Sequence, residues 1–95
     1  MLFRSFNESI SLLVECETQG EIDELWSKLS EGGKEGPCGW LTDRFGLSWQ
    51  ITPTRLLELI SGDDRQTAAT AMLAMFEMKK IVIADLERAV RPHHH

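Results

Sequence analysis

Apolar and polar positions alternate from Ile10 to Glu17: Ile10, Leu12, Val14 and Cys16 take one side, and Ser11, Leu13, Glu15 and Glu17 the other. A two-residue period marks a strand, here with one apolar and one mixed face. The period then changes. Thr18 followed by Glu21 forms a capping-box pair, in which each side chain answers the other's backbone N–H. Ile22, Leu25, Trp26 and Leu29 recur at helical spacing, with Asp23, Glu24, Ser27 and Lys28 outside, and Gly32-Gly33 stops the predicted helix. Cys38 to Thr42 and Leu47 to Thr52 are short runs of aromatic, apolar and hydroxyl residues joined by Asp43-Arg44-Phe45-Gly46, which reads as a hairpin. In the second run Leu47, Trp49 and Ile51 form an apolar face, while Ser48, Gln50 and Thr52 form a hydrogen-bonding one. Trp40 is expected opposite Trp49, so that both indoles pack on Trp26.

Helical patterns fill the rest. Thr52-Pro53 reads as a helix start, with Thr52 as cap and Pro53 in the first turn; Leu56, Leu57, Leu59 and Ile60 are its apolar side and Gly62 its end. Asp63 and Asp64 cap the next helix, Thr67 to Met78, whose alanines and methionines make it apolar over much of its circumference. It should be buried on more than one side, one of them against a second subunit. Lys79-Lys80 ends it, and a last helix from Ala84 to Arg91 turns Leu86, Ala89 and Val90 inward. The order of strand, helix, strands and helices predicts an α+β fold. Residues 1–8 are expected as a lead-in, 9–91 as one module with a helical C-terminal extension, and 92–95 as a tag remnant.

Composition narrows the function classes. Ten basic against fifteen acidic residues give a net charge of −5, and no basic stripe is present to meet phosphate. Nucleic acid and anionic membrane surfaces are therefore unsuitable partners. A hydrophobic share of 42% and a charged share of 26% fit a packed globular core. Apolar stretches fall short of a membrane span and Met1 to Phe6 lacks a signal-peptide pattern, so the expected compartment is the cytoplasm. Cys16 and Cys38, on different predicted strands and without metal or redox spacing, are expected as reduced, buried side chains. Setting aside His93, His94 and His95 leaves no histidine in the chain.

Pro37-Cys38-Gly39-Trp40-Leu41-Thr42-Asp43-Arg44-Phe45-Gly46-Leu47-Ser48-Trp49-Gln50-Ile51-Thr52-Pro53, preceded by Glu24 to Gly33 and followed by Ala71 to Ile81, resembles the PhnB-like group of the vicinal oxygen chelate superfamily, relatives of glyoxalase I and the bleomycin-resistance proteins. The resemblance runs from about Phe6 to Val90. It implies a single βαβββ module, with a curved, mostly antiparallel sheet, of a kind normally present twice around a ligand cleft. The concave face, with Leu13 and Leu41, would then be left open, and exposed apolar area of that kind finds a partner. A homodimer supplying both modules is the expectation. In superfamily members that bind a divalent metal, the strand after the Asp-x-x-Gly turn carries a Glu ligand and the first strand a His or Gln. The resemblance places Gln50 at the Glu position, and the first strand offers Ser9, Ser11 and Glu15. A neutral amide is a poor ligand for such a cation, so no metal or other cofactor is expected. Members of the group carry a demethylubiquinone methyltransferase label, for which the chain shows no glycine fingerprint after a strand.

Three functional classes follow. The preferred one is a metal-free module that binds a small, partly apolar molecule, with Gln50, Ser48, Glu15, Leu13 and Leu41 as its contact residues. The second is an enzyme that uses Glu15 as base and Gln50 as orienting amide, or a metal after all; against it, Glu15 reads rather as a solvated carboxylate. The third is an interaction protein with no working cleft. Met72, Met75 and Met78 read as packing between helices or subunits. Asp43 is expected to serve its turn.

Overall fold

The computed structural model describes residues 2–5 and 11–91; the expectations for Ser9, Ile10 and residues 92–95 fall outside them. Alternation in β2 (Ser11–Cys16) and β5 (Ser48–Pro53) gives two strands that pair in parallel, Leu13 with Gln50 and Val14 with Ile51. The crossover between them carries α1 (Gln19–Ser30), started by Thr18 and Glu21 with both bonds of the capping box formed. Outside this pair, β1 (Leu2–Ser5) runs antiparallel to β2, β4 (Trp40–Thr42) antiparallel to β5, and the two-residue β3 (Lys34–Glu35) antiparallel to β4. Among the described residues the sheet has five strands in the order β1-β2-β5-β4-β3. The fold is α+β, as its pattern implied, with a mixed, open sheet. Residues 2–5 form a strand where a loose lead-in was expected.

One face of the sheet is the core. Val14, Cys16, Leu41 and Ile51 pack with Ile22 and Trp26 of α1, and Leu25, Leu29 and Trp49 close the edges. Gly33 lets α1's exit pass the hairpin, since a Cβ there would lie 2.0 Å from the Thr42 carbonyl oxygen. A second core lies among α2 (Thr54–Ser61), α3 (Arg65–Phe76) and α4 (Ile83–Val90), where Leu56, Leu59, Ala71, Ile81 and Leu86 meet. Met75 and Met78 pack at its margin, whereas Met72 is exposed.

Among the described residues, hydrogen bonds from α1 and from the turn before β4 help to join the cores. The Gln19 side chain donates to the Ile81 carbonyl oxygen at 3.0 Å and accepts from the Ile83 N–H at 2.7 Å. Backbone N–H groups of Cys38 and Gly39 donate to the carbonyls of Met78 and Lys79, both at 2.8 Å. Cys38 sits in this turn at φ 60°, half-buried, rather than in a strand; both cysteines are free.

Several boundaries move by a few residues. Thr52 is the penultimate residue of β5, and Pro53, without a side-chain bond, is the N-cap of α2. Asp64 caps α3 as expected, accepting from the N–H groups of Gln66 and Thr67. That helix ends at Phe76, before Lys79-Lys80.

The hairpin register is the larger correction. Thr42 pairs with Ser48, so Leu41 opposes Trp49 and Trp40 opposes Gln50. Residues 43–47 form the turn. Counting it one residue shorter had moved every side chain of β4 to the wrong face.

Candidate site on the sheet face away from α1

The register places three cross-strand rows on the face turned away from α1. Leu13, Gln50 and Trp40 form the middle row; Ser11, Ser48 and Thr42 lie on one side of it, and Glu15 and Thr52 on the other. Neighbouring strands are about 4.8 Å apart, so each row is a line of touching side-chain positions. Neither core includes a side chain from these rows.

Four of the five expected contact residues are therefore on one face: Gln50, Ser48, Glu15 and Leu13. Leu41 is not. It is 2% exposed and packs under α1, because the longer turn points it to the core. Trp40 is on this face in its stead, opposite Gln50, and only the turn length could have told the two apart. Leu13 is on the face but is 7% exposed rather than open to water. The pairing of β1 along β2 makes Leu13 an interior-strand residue. Gln50, Ser48 and Glu15 are half-buried, and Thr52 and Ser11 are buried.

The turn at the end of this face is fixed by Asp43. Its Oδ1 accepts from the N–H groups of Phe45 at 2.9 Å and Leu47 at 3.0 Å, and its Oδ2 from the Trp49 indole N–H at 2.9 Å. The indole hydrogen bond, aided by the two backbone donors, holds the Asp43 carboxyl below its ordinary range. The role expected for Asp43 holds, with Trp49 as an added partner that the turn pattern gave no sign of. Beyond the turn, Lys28, Leu29, Glu31, Asp43, Arg44 and Phe45 line an open hollow of about 300 Å³, which none of the expected contact residues enters.

A model of the 3-demethylubiquinone-9 3-methyltransferase family matches residues 2–52, from β1 through the Gln50 strand. The chain belongs to this family. The family lies in the glyoxalase or vicinal oxygen chelate superfamily, so the expected superfamily holds. No curated protein matches the chain.

That membership implies two groups, a divalent metal and a methyl-donor cofactor. For a divalent metal, the face offers the Gln50 amide, hydroxyls and the Glu15 carboxylate, and among the described residues no three His, Cys, Asp or Glu groups come together. That donor set does not fit a metal. For a methyl-donor cofactor of the kind held by doubly wound sheets, β2 runs through Glu17 and Thr18 into α1 without a glycine-rich turn, and only the β2–β5 pair of the described sheet is parallel. These residues do not fit that group either. Among the described residues no helix is long and apolar enough to cross a membrane.

Proposed function

We propose that this family member is a metal-independent binding module for a small, flat, partly apolar molecule, held against the Leu13–Gln50–Trp40 row. The observation that carries this reading is the row itself: an aliphatic side chain, a neutral amide and an indole aligned across three strands on the face opposite α1. An indole contributes flat apolar area at little entropic cost, and the amide adds both a donor and an acceptor. Ser48, Thr42 and Glu15 extend the polar rim. Leu41, buried in the core, takes no part.

A sheet face is one wall of a site, and ligand sites bury most of their ligand. The second wall in this reading is the same face of another copy, so the module works as a homodimer. Light scattering should give at least twice the 10.8 kDa chain mass. Quenching of tryptophan emission by a panel of small aromatic acids and amides should identify a ligand whose binding Gln50→Leu weakens at least tenfold, with little effect on stability. A panel without a saturable binder, or a binder indifferent to both Gln50→Leu and Trp40→Ala, would refute the reading.

A further inference from the structure

α3 carries an apolar stripe that neither core uses. Ala69, Met72, Leu73 and Phe76 follow one another at helical spacing, and Leu73 is 65%, Phe76 55% and Met72 41% exposed. The opposite side of the helix holds Ala71, which is fully buried. Large apolar side chains gathered on one stripe of a small domain mark a contact surface. The surface continues into an open hollow of about 540 Å³ that Thr70, Leu73, Ala74 and Phe76 share with Ala89 of α4.

The ends of the stripe carry opposite charges. Arg65 opens α3 and Glu77 follows its last turn; both are exposed, and among the described residues neither makes an ion pair. They lie twelve positions apart, about 18 Å along the axis. Two copies of α3 packed antiparallel about a two-fold axis level with Ala71 set Arg65 of each at the end where the other carries Glu77. The same register sets the small Ala69 level with Leu73 of the other copy. A parallel pair would instead bring Arg65 to Arg65 and Glu77 to Glu77, with the helix dipoles aligned unfavourably.

We infer that α3 is a self-association surface, on which a second copy of this chain docks its own α3 antiparallel. This contact is separate from the sheet face and does not rest on the ligand reading. One helix pair buries a small area, so the association depends on concentration in the micromolar range.

Light scattering of the full chain over a dilution series tests it. Leu73→Glu with Phe76→Glu changes only exposed side chains, and an unchanged melting temperature verifies the fold. The expected result is a mass that halves relative to the unmodified chain. Arg65→Glu alone should raise the dissociation constant roughly tenfold, because two pairs per dimer are reversed. Arg65→Glu with Glu77→Arg should restore it. An unmodified chain that is monomeric at every concentration, or a Leu73/Phe76 variant that keeps its mass, overturns the inference; failure of the charge swap to restore association overturns the antiparallel register. The two readings separate cleanly. A dimer indifferent to the α3 variant removes this surface and leaves the sheet-face dimer standing, whereas a variant reduced to a monomer removes the second wall of the ligand site and leaves this surface standing.

Discussion

Gln19→Ala should cost the chain more than any other single change at a half-buried polar residue of α1. The side chain makes two hydrogen bonds across more than sixty residues, one to the Ile81 carbonyl at 3.0 Å and one from the Ile83 N–H at 2.7 Å. Each such bond contributes about 1 kcal/mol net, and a buried partner left unpaired costs more. Ile81 is 1% exposed, so water reaches its carbonyl poorly once the amide is gone. The expected loss is about 2–3 kcal/mol. At about 4–8 °C per kcal/mol for a domain of this size, that is a fall of roughly 10 °C or more in Tm. Urea unfolding followed by circular dichroism should show a lower midpoint at unchanged slope. Ser27→Ala, on the exposed side of the same helix, should stay within about 0.5 kcal/mol. Gln19 also donates to Asp23, and that bond, ahead of the Lys80 ammonium, holds the Asp23 carboxyl below its ordinary range. The variant should therefore raise the Asp23 pKa in an NMR titration. A loss under about 0.5 kcal/mol would mean that Gln19 does not join the two cores, and the reasoning would fail.

Three further outcomes follow. Leu41→Ala should destabilise by about 2–5 kcal/mol as a cavity in the α1-facing core, while Trp40→Ala costs less and acts on ligand quenching; equal costs in a urea titration would return both residues to one face. Burial, with the charge of Glu21 second, pushes the Cys16 thiol up to about 11, so a thiol reagent at neutral pH should label native protein once, at Cys38, and Cys38→Ser should abolish labelling. Rapid modification of both cysteines would contradict the buried position of Cys16. Stability should hold from neutral pH down to about the unfolded aspartate pKa near 3.9 and then fall. Asp23, Asp43 and Asp64 all have folded values below their unfolded ones, so their contribution is present above the unfolded pKa and is lost as pH falls through the folded values. Asp43→Asn should flatten part of this acid limb in thermal melts at stepped pH; an unchanged limb would exclude the Asp43 bonds as a source.

Local signals were readable wherever they sat in adjacent residues. Thr18 and Glu21 announce α1, Asp64 announces α3, and the period of two in β2 and β5 shows which residues leave the core. What escaped depended on distant pairing. Gln19 looks like an ordinary helix residue, because its partners are on the far side of the chain. The choice between Trp40 and Leu41 depended on a turn one residue longer than Asp43-Arg44-Phe45-Gly46 suggested. The candidate site was thus legible on β2 and β5, where the alternation is long, and illegible on β4, whose three residues carry too little pattern to fix a phase.

The parallel pairing of β2 with β5 has a kinetic consequence. Val14 meets Ile51, a separation of 37 positions, so the middle of the sheet closes only by drawing together a long loop that includes α1. The α2–α4 cluster needs no such search, because its contacts lie within residues 54–90. On a ribosome, which delivers the chain from its first residue, β2 and the apolar side of α1 must wait unshielded until residue 53 has emerged, and that interval is when a young chain is most open to chaperones and to misassembly with its neighbours.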